Sequence, residues 1–583
     1  MLLNLIRSFR LWVLGVVRPS DIVPGQVYSP LDGAVQLHST DSVEAFFANS
    51  AGATTIGNTF SDFLGDSEAL RSLKKSYLAQ LENRARVIAL GSDPPEQYGF
   101  GEIVIPWNTH PLDNVAFRFV ESVAPDVSIV WNRPNAAISA IRIFCAAAVY
   151  STVFALRISY LLIFRSGAST PLKSIVAAPD IAPLSELSVI DDVLREQGLP
   201  AAGRCCVAVV CERGLLAESA DGPIPVVDPR NVRVPYRELL FDVLLPGFIL
   251  FIRLAAISLR HAGDVRIGVL ALMAMQQACE TLGLRQVVHS VRCDSYLDWV
   301  EYNELHILRD ILFRKHGGGV VRWPHSNLYS PGVFTSYLGY SAFYSNGPYP
   351  ETKFGKTWSP HTKNHVVGYL QFDRHYQNSN RVAPEYRDII DSKIREGKRV
   401  IGYFCSSDVQ GLAAIEMEVL AALHTATEQA SDWYLVIKPK SHNKQHVFQM
   451  LRDDQRTSSW FDDENVLMIE YPPTGEQVCS AGWLTEKMFC GAGLLGSISA
   501  EAFSRQRPFY SYYPVFDLTD HSQRLIDLGY LHMDLGQYES AVTSALLAPP
   551  DRIQDRWYFE NFDPFRDNDA LTRVADHLSA DIE

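Results

Sequence analysis

Residues 399–439 read RVIGYFCSSDVQGLAAIEMEVLAALHTATEQASDWYLVIKP, and the order of apolar runs within them decides the fold class. Arg399 to Phe404 is a short aromatic and β-branched run of strand length. Ala413 to Glu428 is rich in Ala and Leu and long enough for a helix, and Trp433 to Pro439 is a second apolar run closed by Pro439. Strand, helix, strand in that order belongs to a parallel sheet covered by helices.

The pattern extends in both directions. Around this unit the spacing predicts a helix from Tyr386 to Glu396, a helix from Lys444 to Arg452 and a strand from Val466 to Ile469. An apolar segment from Met488 to Leu495, a helix from Ala500 to Arg505 and a strand from Pro508 to Tyr513 follow. Upstream, strands are expected at Cys206 to Val210, Val287 to Val291 and Gly319 to Trp323, with helices at Val265 to Leu282 and Tyr302 to Lys315. Gly317-Gly318-Gly319 reads as a helix C-cap that turns into the next strand. The expected fold class is therefore α/β, with two facing Rossmann-like domains at 21–380 and 381–545 and C-terminal helices at 546–583 packing back on the first. Residues 22–123 read as polar and turn-rich, with short strand-like runs at Val87 to Leu90 and Ile103 to Ile105.

With 583 residues the chain has room for several domains, and 47% hydrophobic against 20% charged residues is a globular composition. Lys and Arg number 52 against 66 Asp and Glu, a net charge of −14 with no long basic run, which argues against a nucleic-acid partner. The nine cysteines show no paired C-x-x-C spacing and read as reduced cytoplasmic thiols. Residues 1–20 interleave Arg7, Arg10 and Arg18 with Leu, Ile, Phe and Trp and have no acid, the pattern of an amphipathic interfacial helix or of a helix docked on its own domain. Two further apolar stretches, Ile143 to Leu156 and Val243 to Ile252, read as too short to span a bilayer. Their flanking arginines Arg142, Arg157, Arg165, Arg253 and Arg260 fit peripheral contact with the inner membrane leaflet, or buried helices with exposed arginine ends.

Four segments carry candidate chemistry. The run from Asp432 to His442 delivers Lys438, Lys440 and His442 at and beyond the end of an apolar strand, cations suited to phosphate groups. Gly496, Ser497 and Ser499 can cradle a phosphate at a helix N-terminus, and Glu501 in the first turn can accept from ribose hydroxyls. The same letters also spell an N-cap serine with a dipole-compensating glutamate. His325 on the loop leaving a strand is placed for general base work, with His289, Asp294 and Glu301 as weaker candidates nearby. Asn364 to Arg374 is a short strand broken at Gly368 that leads to Asp373 between the two domains.

Taken in order, a strand ending in a histidine loop, a Val-Gly-Tyr-x-x-Phe-Asp turn at 367–373, a strand ending Lys438-Pro439 and Gly496-Ser497-Ile498-Ser499-Ala500-Glu501-Ala502 resemble a known group. The chain resembles the two-domain GT-B type glycosyltransferases of bacterial surface-polysaccharide assembly, in the clan of the CDP-glycerol glycerophosphotransferases and the capsule transferases of 3-deoxy-manno-octulosonate. The resemblance spans about Leu282 to Val542, with 567–573 similar to the end of such chains. Where that family has Gln-His-Gly this chain has Pro324-His325-Ser326, and where it has Lys-Pro-His-Pro this chain has Lys438-Pro439-Lys440-Ser441.

The resemblance implies that His325 acts as base or acceptor-side catalyst, Lys438 binds donor phosphate, and Ser497, Ser499 and Glu501 hold the donor nucleotide. It implies a metal-independent transferase with no cofactor beyond its nucleotide-activated sugar or polyol donor, acting on a lipid-linked or oligosaccharide acceptor at the cytoplasmic face of the membrane. Two rivals remain at this stage, a sugar-nucleotide epimerase using a similar cleft and a non-catalytic scaffold of a polysaccharide assembly complex.

Overall fold

The computed structural model describes residues 30–91, 103–105, 115–116, 119, 129–131, 136–167, 171–179, 184–198, 204–209, 224–261, 264–298, 305–323, 332, 335–375, 382–405, 410–439, 446–472, 478–513, 519–548 and 555–580. The amphipathic segment 1–20 lies outside them.

Two parallel sheets organise these residues. In the first, β3 (Leu172–Pro179), β4 (Arg204–Val209), β5 (Val226–Val227), β6 (Val291–Asp298), β7 (Gly319–Arg322), β8 (Ala342–Ser345) and β9 (Lys363–Val366) lie in the order β5-β4-β3-β6-β7-β8-β9. In the second, β10 (Arg399–Phe404), β11 (Trp433–Lys438), β12 (Val466–Met468), β13 (Cys490–Leu494), β14 (Phe509–Tyr512) and β15 (Leu531–His532) lie in the order β12-β11-β10-β13-β14-β15. A separate pair, β1 (Ile103–Ile105) and β2 (Ile129–Trp131), is also parallel. Each large sheet runs outward from its first strand in one direction and then reverses, so each has a switch point, β3/β6 in the first and β10/β13 in the second. Ligands of such sheets bind outside the strand carboxyl ends at that reversal.

Both sheets are covered on both faces. In β10 and β11, Ile401, Tyr403, Leu435 and Ile437 face the helices Gln410–Thr427 and Leu535–Leu547. Val400, Tyr434 and Val436 face Leu484, Ala500 and Phe503 on the opposite side. Strands buried on both faces read as continuous apolar runs, which is why they stand out in the sequence. The first sheet is closed in the same way, by the long helix Val265–Ser290 on one side and by Leu184–Glu196 with the closing helix Ala570–Ala580 on the other.

Three expectations need correction. Residues 30–91 are not turn-rich but form helices Pro30–Asn49, Ala51–Leu64 and Ala69–Gly91, and the run Val87 to Leu90 is helical rather than a strand. Two glycines let the second of these helices pack closely: a Cβ on Gly52 would fall 2.8 Å from Ile267 Cδ1 and one on Gly57 2.5 Å from Leu70 Cδ1. The same helix carries a regular apolar stripe through Ala53, Ile56, Phe60, Phe63 and Leu64, which the reading of this region as turn-rich overlooked. Val287 to Val291 is not a strand either, because the helix Val265–Ser290 continues to Ser290 and β6 begins at Val291. Finally, the apolar stretches read as too short to span belong to longer helices. By length and composition, Ile143–Phe164, Tyr236–Arg260 and Val265–Ser290 could each cross a membrane, and the last is 78% buried inside the protein.

Candidate functional site

At the switch point of the second sheet, β10 and β13 end side by side, with Phe404 opposite Gly493 on one flank and Lys438 on the other. The chain leaves β13 through Leu495 and Gly496 and enters the helix Ser497–Ser504. Gly496 is the N-cap, in extended backbone, and offers no side-chain cap to the first turn. The amide dipoles of that turn are thus presented at the strand ends, where an anion is favoured. The sequence placed the helix start a turn later, at Ala500.

Lys438 and Glu501 are buried on either side of this turn. Burial pushes the Lys438 ammonium below its usual range, opposed by the neighbouring thiols Cys479 and Cys405 and by Glu501. Its Nζ lies 5.5 Å from the centre of the Tyr471 ring and 3.3 Å from the Pro439 carbonyl. Burial likewise raises the Glu501 carboxyl to about 7, against hydrogen bonds from Gln371 and Ser497 and the charge of Lys438. A carboxyl held there can accept from a diol when ionised or donate when protonated, and it exchanges protons near neutral pH. Ser499 faces elsewhere, since its hydroxyl donates to the Gly496 carbonyl at 2.7 Å and shapes the turn itself.

Gln371 was missed by sequence reasoning. It sits in the short 3₁₀ turn Leu370–Phe372 after β9, and that turn packs on the second domain, where a Cβ on Gly482 would meet the Gln371 carbonyl at 2.8 Å and the Arg505 guanidinium stacks 4.0 Å from the Phe372 ring centre. Only the Gly-Tyr-Leu-Gln-Phe-Asp turn marks it, and there attention falls on Asp373. Tyr471 gives no sequence signal.

The remaining predicted residues are not gathered at this point. Asp373 is fully buried and accepts from the His375 amide at 2.9 Å, its Nδ1 at 2.8 Å and the Leu571 amide at 2.7 Å, so it clamps the closing helix Ala570–Ala580. His289 sits near the end of the helix Val265–Ser290, with Nε2 2.7 Å from Glu238 Oε2. Burial works to raise the Glu238 carboxyl, but the hydrogen bond from His289 and the charges of Arg285 and His289 outweigh it and hold it at about 2. Ligand-type atoms of Glu238, His289 and His316 lie within 4.8 Å of one another, a spacing from which a metal ion could be held. The guanidinium of Arg285 already takes the other Glu238 oxygen and brings its own positive charge, so the group is balanced as an ion-pair network. His325, Lys440, His442 and Glu301 lie outside the described residues. β7, which leads toward His325, ends at Arg322, whose guanidinium is buried over the Phe343 ring and bonded to the Tyr344 carbonyl at 3.1 Å.

No protein-family model matches the chain, and no curated protein matches it by sequence. Among solved structures it is similar to the UDP-GlcNAc 2-epimerase from Neisseria meningitidis bound to UDP-GlcNAc, at 12% identity and a TM-score of 0.40 over 70% of this chain and 100% of that one. A putative UDP-N-acetylglucosamine 2-epimerase from Listeria monocytogenes matches at 12% identity and a TM-score of 0.40, over 71% of this chain and 97% of that one. The wall teichoic acid polymerase TagF matches at 9% identity and a TM-score of 0.37, over 76% of this chain and 98% of that one.

Proposed function

We propose that the protein is a glycosyltransferase or glycerophosphotransferase-like enzyme that binds a nucleotide-activated sugar or polyol in its second domain and transfers that group to a surface-glycan acceptor. One observation carries the reading: Lys438, Ser497 and Glu501, singled out on sequence grounds for a phosphate and a ribose, converge with Gln371 at the carboxyl ends of the switch-point strands. In a chain of net charge −14, a buried lysine beside an uncapped helix start is a local exception suited to a phosphate.

In this reading the donor phosphates sit on the first turn of Ser497–Ser504 with Lys438 beside them, and Glu501 holds a hydroxyl pair. The acceptor oxygen attacks the donor carbon or phosphorus, the bond to the nucleotide breaks, and the nucleotide leaves with the electron pair. His325 takes the acceptor proton. Lys438 and the helix dipole offset the negative charge that builds on the leaving group.

The test is calorimetric titration of CDP, CMP, UDP and GDP into the wild type and Glu501→Ala. A nucleotide bound by the wild type and lost by the variant supports the donor site; no binding of any of them removes it. The rival epimerase reading is favoured by one feature, the Glu501 carboxyl poised at about 7, as a group that moves a ring proton would be. Conversion of a bound nucleotide sugar without any acceptor would select it over transfer.

A further inference from the structure

The first domain carries a large apolar surface that the nucleotide site does not use. The helices Ala136–Phe164 and Tyr236–Arg260, the latter including a π-helical turn at Leu239–Leu244, are antiparallel neighbours. Their joined ends are tied by the Val234 amide to the Arg165 carbonyl at 2.8 Å and the Gly167 amide to the Val234 carbonyl at 3.1 Å. Further along the pair, the Phe154 ring packs on Phe251 with centroids 5.1 Å apart, so close to Gly247 that a Cβ there would fall 2.3 Å from Phe154 Cζ.

Each helix buries one apolar face, through Tyr150, Phe154 and Ile158 on the first and Val243, Leu250 and Leu254 on the second. Each is apolar on its outward face as well. Thirteen of the seventeen large hydrophobic side chains exposed among the described residues belong to this pair, Phe144, Leu156, Ile163, Phe241, Phe248 and Ile252 among them. Scattered exposed apolar residues are ordinary, but a contiguous double-helical face of them marks an interaction surface.

Charge identifies the occupant. Between Ile143 and Phe164 there is no acid and one arginine, Arg157. Arg157, Arg253 and Arg260 are exposed along the pair, and Arg233 and Arg237 are exposed at its joined ends beside Arg165. Of the two acids between Tyr236 and Arg260, Glu238 is turned to Arg285 and His289, which leaves Asp242 as the exposed one. An apolar face rimmed by arginines on an otherwise acidic protein complements a surface that is apolar inside and anionic at its edge.

We propose that this helical pair docks on an anionic lipid bilayer, lying in the plane of the interface with its outward side chains among the acyl chains and its arginines at the headgroups. Crossing the bilayer would carry the inward faces, and the domain core packed on them, into hydrocarbon along with the exposed Arg253–Asp62 pair on the flank. The windows of Ile143–Phe164 and Tyr236–Arg260 are 22% and 28% buried in the protein, which leaves one face of each for lipid.

The full chain would be sedimented with vesicles of phosphatidylcholine plus phosphatidylglycerol and with vesicles of phosphatidylcholine alone. The same is done for the double variants Phe248→Glu/Ile252→Glu and Arg237→Glu/Arg260→Glu, whose changes are at exposed positions and whose folding is checked by melting. The wild type is expected to bind the anionic vesicles more strongly than the neutral ones. The apolar variant should lose about a hundredfold in partitioning to both, and the arginine variant only the preference for anionic lipid. Three results would overturn the proposal: no sedimentation of the wild type, sedimentation of the apolar variant equal to wild type, or a lipid-free dimer in the ultracentrifuge that the apolar variant abolishes.

Discussion

Burial works against charge on Lys438 and Glu501 alike, and the two respond in opposite directions, the lysine falling below its usual range and the glutamate rising to about 7. For Glu501 the sign of the linkage follows directly. Its folded value lies above the ordinary 4.5, so between the two the folded state holds a proton that the unfolded chain has given up. Its contribution is complete below about 4.5 and is lost as pH rises toward about 7, by about 3 kcal/mol at most. His521, buried and held down to about 3, acts in the other sense, losing stability as pH falls below its ordinary 6.5. Comparing wild type with Glu501→Gln isolates the glutamate. The variant should melt a few degrees higher than wild type at pH 8 and about equally at pH 5. Equal melting at both would show that the carboxyl is not held protonated by burial. At this scale the sequence draws attention to Lys438, Ser497 and Glu501, because a cation after an apolar strand and a glycine-serine turn before a helix suit a phosphate, although the same letters also fit an ordinary loop and an N-cap. It does not mark Gln371 or Tyr471, which arrive from distant segments, and it misreads Ser499, whose hydroxyl turns back on its own backbone.

Elements made of branched and aromatic residues announce themselves, as Arg399–Phe404 and Trp433–Lys438 do, because strands buried on both faces leave no polar positions to blur them. Elements packed through small residues do not. Leu172–Pro179, with Ala177, Ala178 and Pro179, carries little strand signal, yet it is the strand from which the first sheet grows. The helix Ala51–Leu64 is a different case, since Ile56, Phe60, Phe63 and Leu64 do recur at helical spacing and the reading of 22–123 as turn-rich passed over them. β13 shows how much such close packing matters to the site. Gly491 lies where a Cβ would fall 2.2 Å from Phe509 Cδ2, so Gly491→Ala must displace the Phe509 ring, and with it strain β14 against the strand that delivers Gly496 and Ser497. The expected loss is about 1–3 kcal/mol of stability, with a measurable fall in nucleotide affinity, read by denaturant unfolding and calorimetry. Unchanged stability would mean that Phe509 yields freely, and that the strand spacing does not position the turn.

The chain crosses between its two sheets twice. It passes from β9 through Gln371 and Asp373 to the helix Pro384–Arg395, and it returns after the helix Arg556–Phe562 to place Ala570–Ala580 on the first sheet. That last helix supplies Ala570, Leu571, Val574, Ala575 and Leu578 to a core shared with Leu187, Ile190, Val367 and Leu370. Two polar clamps fix it there, Asp373 on the Leu571 amide and Arg573 Nε on the Val367 carbonyl at 2.9 Å. Residues 570–580 therefore complete the first domain although the second lies between them and it. Removing 570–583 would strip several fully buried aliphatic side chains at about 2–5 kcal/mol each, a sum comparable to the whole stability of a domain. The second sheet keeps both its own cores, around Leu435 on one face and Val436 on the other. Scanning calorimetry of the truncated chain should therefore show the first domain's transition lost or shifted far down while the second domain's transition persists. If both disappear together, the two sheets fold as one cooperative unit, and the contacts of Gln371 and Phe372 with the second domain, rather than the closing helix, couple them.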